Sequence, residues 1–343
     1  MNRRMLTLLA ALVPVIALAV LGSTVEVPFV ALGPGPTVNT LGDNDKGDPV
    51  VAIMGPGAQL DTTTGNLNMT TVTVRDGLTI FEALGMWASG RQGLVPRAEV
   101  FPPEKSREEI EKGNQADFQE SEDSAEVAAL HYLKYPFDVS IGTVSPDGPA
   151  KDALREDDVL ISINETDVTS ACAVQQAVSS AGPRSTAVIR YTRDGVESTV
   201  DIPLGARPDD DKKGYLGIGS NEEPKVDFTV DFDLPDIGGP SAGLMFSLAV
   251  IDKLSPGELS GGKFVAGTGT IDACGQVGPI GGIPYKMLAA REAGAETFLV
   301  PAENCQEAKQ RKPDGLRLVK VEKVDDAVSS LESIRAGGEA PTC

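Results

Sequence analysis

The chain has 343 residues, of which 41% are hydrophobic and 5% aromatic, and its formal net charge is −20. This length and apolar content predict a folded protein of more than one domain, with cores built from aliphatic side chains. Because phosphate binding needs clustered lysine and arginine, the acidic balance excludes nucleic acid as an expected partner.

The first element is the apolar segment MLTLLAALVPVIALAVLG, residues 5–22, which follows Arg3 and Arg4. As a helix it is about 27 Å long, close to the thickness of a bilayer core, which predicts a transmembrane anchor over 5–23. Because basic residues favour the inner side of a membrane, we expect a cytoplasmic tip at 1–4 and an extracytoplasmic remainder, as in a single-pass protein of the cell membrane. A cleaved signal peptide is the alternative.

Residues 24–133 are predicted to form a β-rich region that ends in helices. The densely charged stretch 103–123 is typical of a solvated helix-and-loop surface, and residues 124–135 predict an amphipathic helix. The only histidine of the chain, His131, falls in this helix, where a surface or edge position is expected. The clearest elements before it are the strand GNLNMTTVTV and the helix LTIFEALGMWASG.

Residues 134–206 alternate strands with two helices, and Asp194-Gly195 predicts a hairpin. This region resembles a PDZ domain in SPDGPAKDALREDDVLISIN, SACAVQQAVSSAG and VIRYTRDG. The resemblance implies a β-rich domain with two helices, which binds extended peptides in a groove between the strand near Phe137 and the helix 170–180. Because no Gly-Leu-Gly-Phe-like loop precedes Phe137, capture of a free C-terminus is not expected.

The polar stretch 205–214 is predicted to be a linker, and an α/β pattern fills the region 207–343. A GxxxxGK[ST] motif is missing from the sequence, so no ATP-binding module is expected. The predicted elements are the strand DFTVDFDL, a helix at 241–254, the strand FVAGTGTID, a helix at 285–293, the strands TFLVPA and LRLVKV, and a helix at 324–334.

Ser241 lies in the run DIGGPSAGLMF, directly before an apolar stretch that predicts a buried helix. One interpretation is that Ser241 caps this helix through an orphan N–H group, with Pro240 in the first turn. The other is that Ser241 is a nucleophile at a helix N-terminus, where developing negative charge is stabilised. Gly238 and Gly239 would then let a substrate approach the backbone.

A nucleophilic serine needs a base. Lys286 falls in the first turn of a helix that Pro284 starts and Gly294 ends, where the helix dipole disfavours a cation. Burial would lower its pKa further and produce a neutral amine near pH 7. An exposed lysine beside Tyr285 is the alternative from position alone.

The segments GGPSAGLMFSLAVIDKL, SGGKFVAGTGTIDACGQVGPIGGIPYKMLAA and AGAETFLVPAEN resemble the proteolytic domain of the Lon protease family. The resemblance implies a Ser–Lys dyad endopeptidase with Ser241 as nucleophile, Lys286 as base and Thr268 supporting the lysine. It assigns the oxyanion hole to the backbone of Gly238 and Ser241. The Lys-Asp pair common before Gly-Pro-Ser in this family is replaced by Ile237-Gly238.

The complete order of anchor, PDZ domain and α/β (α+β) Lon-type domain resembles the membrane-anchored, ATP-independent Lon-like proteases of Gram-positive bacteria. It implies flexible or unfolded envelope polypeptides as substrates, PDZ-bound peptides as partners, no cofactor and no metal. A homo-oligomer is an expectation by analogy alone. Since Lon-type domains begin with strands and a helix before the serine segment, we hypothesise that residues 25–133 complete this fold and that the PDZ domain is inserted within it.

Four cysteines, Cys172, Cys274, Cys305 and Cys343, stand at spacings that do not suggest a zinc site. An extracytoplasmic location favours disulfides, and a bond between Cys274 and Cys305 is expected because both lie in the C-terminal region. Two buried free thiols are the alternative.

Two other functions compete with an active protease. The chain could be a membrane-anchored binding scaffold with an inactive protease fold, against which the presence of Ser241, Lys286 and Thr268 argues. It could also cleave only itself, as a regulatory switch. Cleavage of a second protein distinguishes both from a protease that acts on other chains.

Overall fold

The computed structural model describes residues 3–235 and 237–343, and in its first helix it describes side chains from residue 10 onward. The predicted anchor at 5–23 corresponds to the helix α1, Arg3–Thr24. Among the described residues, however, no helix has both the length and the apolar character needed to cross a membrane, so the anchor is not supported. Residues 1 and 2 of the predicted cytoplasmic tip lie outside the described residues.

The N-terminal region contributes four strands and a long helix to the larger of the two folded parts. The predicted strand GNLNMTTVTV and helix LTIFEALGMWASG are confirmed as β3 and α2. The elements in order are β1 Phe29–Asn39, β2 Val51–Met54, β3 Asn66–Arg75, α2 Ile80–Ser89, β4 Gly93–Pro96, α3 Arg97–Val100 and α4 Arg107–Tyr132.

The helix α4 is one continuous element where a charged surface and a separate short helix were predicted. It begins at a capping box, in which the Ser106 hydroxyl accepts the Glu109 N–H and the Glu109 carboxylate accepts the Ser106 N–H. From its middle onward one face packs on the core, through Phe118 and Ala125. The charged first half is therefore the exposed start of a helix whose end is buried.

The middle of the chain forms a second sheet in the order β12-β5-β6-β8-β9, with β7 paired to β6. The predicted hairpin is confirmed, because Arg193 pairs with Val196 across Asp194-Gly195. The elements are β5 Phe137–Val144, β6 Val159–Ile163, β7 Thr166–Asp167, α5 Ala171–Ala181, β8 Thr186–Arg193, β9 Val196–Pro203, β10 Gly205–Arg207, β11 Asp210–Tyr215 and β12 Ile218–Pro224.

This second sheet extends beyond residue 206, where the sequence analysis placed a domain boundary. The predicted linker 205–214 is wrong, since β10 and β11 pair there as an antiparallel hairpin. The strand β12 then pairs with β5 along its length, from Ile218 opposite Val144 to Pro224 opposite Phe137.

The remaining elements complete the larger folded part of the chain around a buried helix, α6. Its residues 243–252 are all buried, as the uninterrupted apolar pattern predicted, but it begins two residues later than expected. The elements are β13 Thr229–Phe232, α6 Gly243–Leu254, β14 Phe264–Gly267, β15 Thr270–Ile271, β16 Val277–Gly278, α7 Ile283–Ala293, β17 Thr297–Pro301, α8 Cys305–Gln310, β18 Arg317–Val321 and α9 Val324–Arg335.

Strands from before and after the inserted sheet join in one six-stranded sheet, ordered β18-β17-β14-β3-β1-β4. The junction is a parallel pairing in which Phe264–Gly267 lies beside Asn66–Met69. On one face α6 packs against α4, with the Phe118 and Phe246 rings 5.7 Å apart at their centroids. This is the arrangement that the insertion hypothesis requires, because neither half of the chain contains the whole sheet.

Candidate active site

Ser241 lies in a turn directly before α6, and two elements hold the backbone of this turn. On the α4 side, the Gly239 N–H donates to the Asn114 carbonyl at 2.8 Å, and the Ser121 hydroxyl donates to the Pro240 carbonyl at 3.2 Å. Sequence reasoning missed both contacts, because nothing in the pattern of α4 indicates which helix turn meets the serine segment.

On the opposite side, the Ser241 carbonyl accepts two hydrogen bonds from the segment that follows β14. The Gly269 N–H donates to it at 3.0 Å, and the Thr268 hydroxyl donates at 3.0 Å. The Ser241 hydroxyl does not cap the helix, since α6 begins at Gly243 with Ala242 as a cap residue that makes no side-chain cap bond. The capping interpretation of Ser241 is therefore wrong.

Lys286 projects from the first turns of α7, which extends from Ile283 to Ala293 and ends at Gly294 as predicted. Lys286 is buried, with only 3% of the residue exposed. Its Nζ atom lies 2.6 Å from the Ser241 Oγ atom and 2.9 Å from the Thr268 Oγ1 atom. The three residues that the sequence assigned to the dyad and its support thus meet at one point, and the alternative of an exposed lysine is wrong.

Burial lowers the pKa of Lys286 from its ordinary value of 10.5 to about 7. The cause is desolvation, because removing an ammonium group from water disfavours its charged form. A substantial fraction of the amine is therefore neutral near pH 7 and can accept a proton from the adjacent hydroxyl.

A cleft of about 730 Å³ opens in front of Ser241 and Lys286. Gly238 lies on its wall next to Ser241, where the predicted oxyanion donors belong. The Gly239 N–H is already committed to Asn114, and Pro240 has no N–H to offer.

The strand β3 forms another wall of this cleft through Thr71–Val74. The neighbouring strand β14 pairs only with Asn66–Met69, so β3 continues beyond its partner on that side. The protruding part of β3 is therefore an edge that an extended polypeptide can join.

His131 lies away from the Ser241 cleft, at the contact between α4 and the second sheet. Its Nε2 atom is 2.9 Å from a carboxylate oxygen of Glu222 on β12. Its ring stacks on Phe137, with centroids 4.0 Å apart. This placement at an edge agrees with the sequence analysis and assigns the histidine to the contact between α4 and the second sheet.

The disulfide predicted between Cys274 and Cys305 is wrong. Cys172 pairs with Cys274 and Cys305 pairs with Cys343. The C-terminal tail runs beside β18, where the Lys320 N–H donates to the Pro341 carbonyl at 2.9 Å, and this brings Cys343 to Cys305. Cys274 instead lies in the loop between β15 and β16, against the N-terminus of α5.

The peptide groove of the second sheet also differs from its predicted position. The strand β5, which contains Phe137, is covered on one edge by β12, so the groove lies between β12 and α5. Its volume is about 390 Å³. The loop that leads into its strand reads Gly-Tyr-Leu-Gly-Ile, residues 214–218, which is the glycine-containing loop that the sequence analysis sought before Phe137. The loop was expected at the wrong place because the strand that borders the groove, β12, comes last in the domain and not first.

Comparison with known proteins identifies two domains in the chain. Residues 233–332 match the family model of the Lon protease (S16) C-terminal proteolytic domain, and residues 115–204 match a PDZ domain model. The chain carries a Lon-type proteolytic domain and a PDZ domain. Both were predicted from the sequence, and both predictions are confirmed.

Curated relatives are similar over about one third of this chain. Lon protease 3 of Sorangium cellulosum is 37% identical over 117 residues, and the Lon protease of Heliobacterium modesticaldum is 37% identical over 118 residues. Each match covers 33% of this chain and 14% of the relative, so the chain spans about one seventh of the length of the curated relatives it matches. These names support the prediction of a serine endopeptidase.

Among solved structures, the PDZ domain of an SdrC-like protein from Listeria monocytogenes is similar, with 23% identity and a TM-score of 0.23. The match covers 24% of this chain and 86% of that one. The match to the PDZ family model ends at residue 204, before the groove strand β12 begins. The extent of the groove therefore follows from the sheet pairing alone.

Proposed function

We propose that the chain is an endopeptidase in which Ser241 is the nucleophile and Lys286 the general base. The observation that carries this proposal is the 2.6 Å distance between the Lys286 Nζ and Ser241 Oγ atoms, at a lysine that burial holds near neutrality. Geometry of this kind pairs a weak nucleophile with the base that activates it.

In the proposed reaction, neutral Lys286 takes the hydroxyl proton while Ser241 Oγ bonds to the carbonyl carbon of the scissile peptide. The N–H groups of Gly238 and Ser241 hold the resulting oxyanion. The protonated lysine then donates its proton to the leaving amine, and the C–N bond breaks to give an acyl-enzyme. Water, deprotonated by Lys286, hydrolyses this ester and regenerates the free hydroxyl.

The Thr268 hydroxyl positions Lys286 for this reaction through two hydrogen bonds. It accepts from the lysine amine at 2.9 Å and donates to the carbonyl of Ser241 at 3.0 Å, so it fixes the amine relative to the serine backbone. A base held in place loses little motional freedom when it reacts, and this favours proton transfer.

The substrates proposed here are flexible or unfolded polypeptides. The free edge of β3 at Thr71–Val74 binds an extended segment as an added strand, which a folded protein cannot supply. The PDZ groove between β12 and α5 recruits a second segment of the same substrate. The reaction as written consumes no nucleotide, so cleavage is expected without ATP.

We also propose that the catalytic part of the chain acts outside the cytoplasm. Support comes from the cysteines, since all four are paired in disulfides, and such bonds persist in oxidising compartments. Alkylation of intact cells with a thiol reagent, before and after reduction, tests this. Labelling of the four cysteines before reduction would contradict it.

The test of the activity uses casein as an unfolded substrate, without ATP, at pH 6 to 10. Ser241→Ala and Lys286→Ala are compared with the wild type, and Lys309→Ala, which replaces an exposed lysine on α8, is the matched control. We expect both site variants to be inactive and the control to be active. Equal cleavage by all four proteins would refute the dyad, and cleavage by none would leave a binding scaffold.

A further inference from the structure

The PDZ groove has two chemically different ends. At one end, the loop Gly214–Gly217 meets the C-terminal half of α5, where a Cβ atom on Gly214 would lie 2.2 Å from the Val178 carbonyl oxygen. Leu216 and Gly217 line the groove here, and their N–H groups donate to no acceptor within the part of the chain that the structure describes. N–H donors without partners at the end of a groove suit an anion, so this end fits the terminal carboxylate of a peptide.

The other end of the groove meets the protease domain. A carboxylate oxygen of Glu222 on β12 accepts the Ala171 N–H at the start of α5, which fixes the helix N-terminus to the strand there. Beside this contact, Cys172 is bonded to Cys274, with their Cα atoms 5.7 Å apart. The loop Asp272–Cys274 of the protease domain consequently lines the groove.

These two ends give a bound peptide a direction. A chain with its carboxylate at the start of β12 and its backbone along that strand must run antiparallel to β12. Its upstream residues therefore leave the groove at the Glu222 end, beside the Asp272–Cys274 loop. The groove delivers the chain to the protease domain rather than to open solvent.

From this loop, the surface continues to the catalytic serine through a second cavity. Asp272 borders both the PDZ groove and this cavity, which has a volume of about 680 Å³. Thr270 borders the same cavity and also the cleft of Ser241. The adjacent residue Gly269 donates its N–H to the Ser241 carbonyl at 3.0 Å. The three cavities therefore adjoin one another in sequence, and we call this series of cavities the track.

We propose that a substrate is anchored by its free C-terminus in the PDZ groove, lies along the track, and is cleaved at Ser241 upstream of the anchor. The inference rests on the proposed function of the dyad. At about 3.3 Å per extended residue, the path along β12 and back along the loop from Cys274 to Thr270 takes on the order of ten residues. The protein therefore measures a distance from a C-terminus.

The test uses the full chain and synthetic peptides with one cleavable apolar site, a Gly-Ser spacer of 4, 8, 12 or 16 residues, and a C-terminal Ala, Val, Leu or Phe. Each peptide is made as the free acid and as the amide. Because a tether raises effective concentration most when its length matches the span, kcat/KM of the free acid should exceed that of the amide at least tenfold near 8 to 12 residues. At 4 residues the two forms should be cleaved equally.

A blocked track is the second arm of the test. Glu303 lines the middle cavity and is exposed, so Glu303→Trp places a bulky side chain in the path. Glu307→Trp makes the same exchange at an exposed position on α8 outside the three cavities. We expect the first variant to lose the advantage of the free acid and the second to keep it.

Casein separates failure of this inference from failure of the proposed activity. If casein is cleaved in a Ser241-dependent way but no C-terminal residue gives the free acid an advantage at any spacer length, the track is wrong and the dyad stands. The same holds if Glu303→Trp and Glu307→Trp behave alike. If casein is not cleaved either, the activity and the track fail together.

Discussion

Burial of Lys286 should affect the free energy of unfolding of the protein as well as its activity. The variant Lys286→Met keeps the length of the side chain and removes its amine. Because burial lowers the pKa of Lys286 to about 7 from 10.5, the unfolded chain binds more protons than the folded chain between these pH values. The free energy of unfolding of the wild type therefore gains a contribution as pH rises through this window, and the lysine costs stability below it.

The size of this cost follows from the shift. At about 1.4 kcal/mol per pKa unit, holding the amine in its site costs about 4 kcal/mol at pH 7. The variant also loses the hydrogen bonds of the amine to Ser241 and Thr268, worth about 1 kcal/mol each. We expect Lys286→Met to be more stable than the wild type by about 2 kcal/mol at pH 7, although it is inactive, and to have no such advantage near pH 10.

Urea unfolding followed by circular dichroism at pH 7, 8, 9 and 10 measures this difference. Groups that titrate equally in both proteins cancel, so the advantage of the variant should shrink by about 3 kcal/mol across the series. Lys309→Met, at an exposed position on α8, should differ little from the wild type throughout. A difference between Lys286→Met and the wild type that does not change with pH would refute the argument that Lys286 is neutralised by burial.

Three further predictions concern the support of the site and the joining of the domains. Thr268→Val removes the hydrogen bonds of Thr268 to Lys286 and to the Ser241 carbonyl, so kcat should fall about 10- to 100-fold. The charged form of Lys286 also loses an acceptor, which lowers the pKa of the lysine, so the acid limb of the kcat profile should move to lower pH. A pH–rate profile identical to that of the wild type would contradict this. The double variant Cys172→Ser and Cys274→Ser removes a disulfide between residues 102 positions apart. Its free energy of unfolding, measured with denaturant, should be lower by up to about 4 kcal/mol. An unfolding midpoint equal to that of the wild type would mean that the disulfide does not stabilise the fold. A chain that begins at residue 207 lacks β1, β3 and α4, so it should unfold without cooperativity; a sharp transition with proteolytic activity would show that the sheet does not need its N-terminal strands.

The dyad could be located from the sequence because its signals are local. The apolar run after Ser241 predicts a buried helix, and Pro284 and Gly294 bracket the helix that carries Lys286. Family resemblance then linked two segments that are 45 positions apart. The start of α6 was misplaced by two residues because Pro240 suits a tight turn as well as a first helical turn.

The disulfides and the groove could not be found in this way. Pairing of cysteines depends on which loops the two sheets bring together, and Cys274 meets Cys172 only because β12 places α5 beside the protease domain. The groove strand was sought near Phe137, at the start of the domain, although chain order does not fix strand order within a sheet. Only the pairing of β12 with β5 reveals it.

The burial that tunes Lys286 also makes the site responsive to its substrate. The cleft in front of the amine is open to solvent in the free protein, and a polypeptide that occupies it removes water from beside the lysine. Further desolvation lowers the pKa of the amine below about 7 and enlarges its neutral fraction. The acid limb of kcat, which reports the bound enzyme, should therefore lie at lower pH than that of kcat/KM, which reports the free enzyme. Coincident limbs in steady-state profiles from pH 5 to 9 would mean that bound substrate leaves the lysine as hydrated as before.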